Sequence, residues 1–85
     1  MDYEIIIKSS ARKRLGRIPS GDRERLLKKI ISLSAEPRPV GSVKLTATEA
    51  YRIRQGDYRI IYTIQDSILV VEVIRIGHRR DVYKD

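Results

Sequence analysis

YRIRQGDYRIIY, residues 51–62, decides how this chain folds. Gly56-Asp57 is a two-residue turn with alternating side chains on both flanks, the pattern of a β-hairpin. Glycine in the first turn position fits a type II′ turn, which needs a positive φ there. Such a turn sets Arg54 opposite Arg59, Arg52 opposite Ile61, Ile53 opposite Ile60 and Tyr51 opposite Tyr62. Directly opposed residues share a face of the sheet. One face then carries Tyr51, Ile53, Ile60 and Tyr62, and the other carries Arg52, Arg54 and Arg59. A slip of one residue would turn the arginines into the core, so the register is strongly specified. Like charges set side by side destabilise a sheet. A reason for crowding them here has to come from outside the hairpin.

Working outward, three strands are expected at about 50–55, 58–65 and 68–76, with a second two-residue turn at Asp66-Ser67. Ile64, Leu69, Val71 and Val73 extend the apolar face, while Glu72 joins the arginine face as a candidate ion-pair partner for Arg59. Upstream, Tyr3 to Lys8 is β-branched and apolar and reads as a first strand. Ser9 and Ser10 are candidate caps for a helix whose face is Ala11, Leu15 and Ile18; Gly16 weakens it and Pro19 ends it. Ser20 is the next candidate cap. From Asp22 to about Ser34 the apolar stripe is Leu26, Leu27, Ile30, Ile31 and Leu33. Pro37 and Pro39 stop that helix, and Val40 to Glu49 is a connection. The expected fold is α+β, a single domain over residues 1–85. It has an N-terminal strand, a two-helix hairpin and a three-stranded antiparallel meander, with the helices packed on one sheet face.

Eighteen Lys+Arg oppose eleven Asp+Glu in 85 residues, a formal net charge of +7. A small domain this basic attracts polyanions such as nucleic acid, anionic lipid or an acidic protein. With no cysteine, disulfides, thiol nucleophiles and thiolate metal sites are excluded. The carboxylates are too scattered for a metal site, and neither a Gly-rich phosphate loop nor a Gly-x-Ser-x-Gly turn occurs. No cofactor is expected. The N-terminus lacks the basic start and apolar run of a signal peptide, and no stretch approaches the ~18 apolar residues of a membrane span. A cytoplasmic protein is expected.

The close of the chain, VIRIGHRRDVYKD, adds to the arginine face. Gly77 breaks the last strand. The chain's one histidine, His78, is followed by Arg79 and Arg80, then by Tyr83. Phosphate binders, a group that titrates near neutral pH and an aromatic platform thus stand within a few residues.

The element order, with Lys44-Leu45, the Tyr-Arg-Ile-Arg and Gly-Asp-Tyr-Arg-Ile-Ile-Tyr hairpin and the Gly-His-Arg-Arg-Asp-Val-Tyr close, resembles the RelE/ParE toxin superfamily, and its RelE branch most. The resemblance covers essentially the whole chain. It implies the toxin of a type II toxin–antitoxin pair, a ribosome-dependent endoribonuclease that cleaves mRNA by attack of a ribose 2′-hydroxyl on the adjacent phosphate. It implies a cognate antitoxin, the ribosome and mRNA as partners, and no membrane. Carried over by motif, its catalytic positions fall on Arg52, Arg54, Arg59, Arg79 and Tyr83, and Lys44 matches an RNA contact; Arg80 is a further expected RNA contact. The family often has lysines where Arg52 and Arg54 stand. An arginine does not give up its proton, so these two suit charge stabilisation rather than general-base work. His78 is the expected proton-transfer residue, with Tyr83 as its competitor. Two alternatives stay open: a ParE-like gyrase inhibitor without nuclease activity, and a degenerate member that only binds its antitoxin.

Overall fold

The computed structural model describes residues 2–80. At its centre is the hairpin of β-strands at Ala50–Gln55 and Tyr58–Gln65, joined in the register that the arginines demand. Tyr51 lies opposite Tyr62, Ile53 opposite Ile60 and Arg54 opposite Arg59. Gly56 has φ +60 while Asp57 stays at negative φ, as a type II′ turn requires. Gly56→Ala places a Cβ on a left-handed backbone and is expected to cost about 1–2 kcal/mol. A urea midpoint that does not fall would show that the turn relaxes.

The elements run β1 (Glu4–Ile7), α1 (Ser9–Gly16), α2 (Ser20–Ser32), β2 (Val43–Lys44), β3 (Ala50–Gln55), β4 (Tyr58–Gln65) and β5 (Val70–His78). They form one five-stranded sheet in the order β1-β5-β4-β3-β2. The expected meander is its centre, and two strands flank it. β1 joins β5 in parallel, with Ile5 beside Val71 and Ile7 beside Val73. β2 lies within the segment expected to be a plain connection, with Val43 opposite Arg52 and Lys44 opposite Tyr51. A two-residue strand leaves no periodicity to read.

Both helices cover one face. Ala11 and Leu15 of α1, Ile18, and Leu26 and Ile30 of α2 with Leu33 bury themselves in one cluster against Ile53, Ile60, Tyr62, Val71, Val73 and Ile76. The serines expected as caps instead lie inside the first turns, with Lys8 and Pro19 in the cap positions. Sheet pairing is the reason at α1: the Lys8 amide still donates to the Val73 carbonyl at 2.9 Å, so the helix starts as soon as that bond is made. At α2 the Pro19 carbonyl accepts the Arg23 amide at 2.8 Å and closes the first turn one residue early. No helix among the described residues is long and apolar enough to cross a membrane.

β5 carries a β-bulge. Tyr62 pairs with Val73 and Ile61 with Arg75, so Ile74 has no partner across the ladder. The sequence requires it. In an unbroken strand Arg75 would share the core face with Val71 and Val73. The extra residue shifts the alternation, so that Val73 and Ile76 both point into the core and Arg75 points out. The spacing of three between these two buried residues is the legible sign of that bulge.

The β4–β5 connection is longer than a two-residue turn. Asp66–Ile68 forms a 3₁₀ turn, closed by Leu69 in the left-handed region at φ 54, ψ 54. Asp66 is tied up by distant groups. Arg38 grips its carboxylate with two bonds at 2.9 and 3.2 Å, and the Tyr3 hydroxyl donates to it at 2.6 Å. Arg38 also donates to the Tyr51 hydroxyl at 3.1 Å and lies 5.3 Å from that ring's centre. The buried Tyr62 hydroxyl donates to the Pro37 carbonyl at 2.7 Å and pins the same segment. The Arg38 bonds, then the Tyr3 hydroxyl, hold the Asp66 carboxyl down at about 2, below its ordinary 3.8. A depressed carboxyl stabilises the fold above its ordinary pKa, and that contribution is lost as the pH falls through the folded value. Asp66→Asn should therefore lower the thermal midpoint near neutral pH, with the gap to the parent closing between about pH 4 and pH 2. A gap that is constant across that window would remove Asp66 as the titrating group.

Candidate functional site

The sheet face away from the helices is where strand alternation places Arg52, Arg54 and Arg59. Its rows can be read across the strands. Val43, Arg52, Ile61 and Arg75 form one row; Arg54, Arg59 and Gly77 form the next. The expected Arg59–Glu72 pair does not form, because Glu72 lies opposite Thr63 while Arg59 faces Gly77. The bulge and the longer β4–β5 loop set that offset. Among the described residues no carboxylate reaches salt-bridge distance of Arg52, Arg54 or Arg59.

A fourth arginine arrives from another part of the chain. β5 ends at His78, opposite Tyr58, so the chain leaves the sheet beside the hairpin turn. There the Arg79 amide donates to the Asp57 carbonyl at 2.7 Å. The Arg79 guanidinium stands 3.8 Å from the Asp57 carboxylate, with both side chains largely exposed. The result is an open cleft of about 270 Å³ lined by Arg54, Gly56, Asp57, Tyr58, Arg59 and Arg79. Three guanidiniums from β3, β4 and the exit of β5 meet in it.

Arg52 sits one row deeper. It is half-buried, and its Nε is buried without a hydrogen-bond partner. Burial first, and then the neighbouring charges of Arg54 and Arg59, push its pKa below the ordinary arginine value. A buried donor left without an acceptor costs stability. An anion in this row would supply the acceptor and the countercharge together. Planar guanidinium forks suit a phosphate, which each can hold through two parallel bonds.

The structure does not bring every expected residue to this cleft. His78 shares its face with Tyr58 and the core pair Ile60–Ile76, on the helix side of the sheet. Its ring meets Tyr58 edge-on, with centroids 5.2 Å apart and an interplanar angle of 87°, and its Nδ1 accepts the Arg80 amide at 3.2 Å. His78 thereby holds the chain where Arg79 and Arg80 leave the sheet. Arg80 is exposed next to the cleft. Lys44 lies on the Tyr51 side of the edge strand, 3.8 Å from Glu49, away from the arginine rows. Tyr83 lies outside the described residues. Sequence reasoning missed Asp57 and Tyr58 as cleft residues, and Arg75 as a neighbour of Arg52's row. The bulge that turns Arg75 outward shows only against the paired strand, and no sequence signal ties Asp57 to Arg79. Among the described residues no group of three or more metal-ligating side chains is assembled.

Known proteins share this architecture. Residues 5–83 match the family described as the ParE toxin of type II toxin–antitoxin systems, parDE. The chain is 30% identical over 90 residues to the toxin RelG of Mycobacterium tuberculosis, covering 99% of both chains. It is also 30% identical over 89 residues to the mRNA interferase toxin RelE of Escherichia coli K12, covering 100% of this chain and 94% of that one. Among solved structures, the toxin–antitoxin complex RelBE2 of M. tuberculosis contains a chain that superposes with a TM-score of 0.83 at 26% identity, over 93% of this chain and 100% of that one.

Proposed function

From the premise that this chain belongs to the RelE/ParE toxin superfamily of type II toxin–antitoxin systems, we propose that it is an mRNA interferase, an endoribonuclease that cuts messages on the ribosome. One observation carries the reading: Arg54, Arg59 and Arg79 converge from three chain segments on a single cleft of an uncovered sheet face. Structural stability alone gives no reason to gather them.

The reaction is a transesterification. The 2′-oxygen bonds to phosphorus, the bond from phosphorus to the 5′-oxygen breaks, and one proton leaves the 2′-hydroxyl while another reaches the 5′-oxygen. Negative charge builds on the phosphoryl oxygens in between. Preorganised guanidiniums aimed at those oxygens stabilise the transition state more than the ground state. Arg59 and Arg79 take that role, with Arg54 beside them and Arg52 behind. None of the four transfers a proton. His78 faces the other side of the sheet, so Tyr83 is the better candidate for both proton transfer and stacking on an unpaired base, which is worth roughly 1–3 kcal/mol. The ribosome contributes orientation, which the shallow cleft does not provide by itself. Lys44 and Arg80 are then docking contacts for RNA backbone rather than catalytic groups, and the site of action is the cytoplasm.

The expected protein partner is an antitoxin that lays an amphipathic, acidic helix on this basic surface. The similar chain solved in a toxin–antitoxin complex supports an antitoxin as the partner.

Purified protein incubated with ribosomes programmed with a defined message should cut that message within the decoding site, mapped by primer extension. Intact message on programmed ribosomes, together with gyrase-linked DNA damage in cells expressing the protein, would instead favour the alternative of a ParE-like gyrase inhibitor.

A further inference from the structure

Among the described residues the cleft contains one acid, and its position is informative. Asp57 lines the pocket with Arg54, Arg59 and Arg79, and its carboxylate approaches the Arg79 guanidinium to 3.8 Å. It stands in the second position of the hairpin turn, so β3 and β4 hold it rigidly at the cleft mouth. Its carbonyl separately holds the Arg79 amide at 2.7 Å. The backbone bond alone anchors the start of the exit segment. The carboxylate therefore adds something further: a negative charge beside the guanidinium that belongs on the substrate.

We propose that Asp57 is a stand-in for the substrate phosphate. In the free protein its carboxylate holds Arg79 at the mouth of the cleft, and the scissile phosphodiester takes over that guanidinium when RNA binds. This rests on the reading of the cleft as the phosphate site. Arg79 is thereby kept near its working position despite repulsion from Arg54 and Arg59. The pair is exposed and 3.8 Å long, so it is weak enough to exchange. A competitor that acts only in the free state changes affinity and leaves the bound complex alone. Asp57 is thus a positioning residue that works through Arg79.

The test uses Asp57→Asn, which keeps the turn and its carbonyl but removes the charge. Binding of a short fluorescent single-stranded RNA with 2′-O-methyl sugars, which cannot be cut, is followed by anisotropy. Asp57→Asn should tighten binding about two- to fivefold, the scale of one exposed ion pair that no longer has to be broken. Asp57→Glu should return the parent affinity. Asp22→Asn, which removes an equal charge beside Arg25 on α2, should change nothing. In an Arg79→Ala background the gain from Asp57→Asn should vanish, which a general field effect would not do. On programmed ribosomes Asp57→Asn should lower KM and leave kcat unchanged. Asp57→Asn binding no tighter than the parent, or gaining equally with and without Arg79, overturns the stand-in while leaving the phosphate site in place. Arg79→Ala binding RNA as tightly as the parent overturns both.

Discussion

Arg59→Ala is expected to slow message cleavage on programmed ribosomes by about 10²–10³-fold, the usual loss when one preorganised donor to a developing oxyanion is removed. Arg79→Ala is expected to fall in the same range. Arg59 is the better test, because its environment is more completely defined. It is half-buried on β4, between Arg54 on one strand and Gly77 on the other. Gly77 has no side chain, so the guanidinium has room on that side and no carboxylate across the ladder to occupy it. The same variant should not weaken the fold. Arg59 is one of the charges that lower the Arg52 pKa, so its removal relieves repulsion on the face. Activity should therefore collapse while the thermal midpoint holds or rises slightly. A variant that cuts as fast as the parent would end the assignment of the phosphate clamp. One that loses activity and thermal midpoint together would show that Arg59 is structural.

Leu26→Ala is expected to lower stability by about 2–5 kcal/mol, the range for truncating a fully buried leucine. Leu26 is 0% exposed on α2 and belongs to the cluster that joins both helices to the central strands. A domain of 85 residues has a total stability of only about 4–13 kcal/mol. The loss therefore amounts to a large share of it, and the urea midpoint should fall in proportion. Ile31→Ala, on the same helix but 63% exposed, should stay within about 0.5 kcal/mol of the parent. Equal effects from the two would mean that α2 does not pack through the Leu26 face.

Much of the architecture was legible because it follows from local rules. The β3–β4 register is an all-or-none choice: one slip buries three arginines. Gly56 marks the turn because few other residues tolerate its φ. The helices announce themselves by apolar spacing, and their ends were placed to within about two residues. The bulge at Ile74 was also encoded, in the spacing of three between Val73 and Ile76, but seeing it requires the partner strand whose alternation it breaks.

Among the site residues, Arg52, Arg54 and Arg59 could be placed on one face from sequence, because period-two alternation on paired strands leaves no freedom. Arg79 beside Asp57, His78 on the helix side, the grip of Arg38 on Asp66 and the parallel entry of β1 beside β5 could not. Each joins segments far apart in the chain, or depends on a bulge or strand end that resets which way a side chain points. Near-neighbour periodicity thus determined which arginines share a surface. Only the tertiary structure decided which of them meet in a cleft, because long-range pairing is chosen by how the whole core packs and by no local pattern.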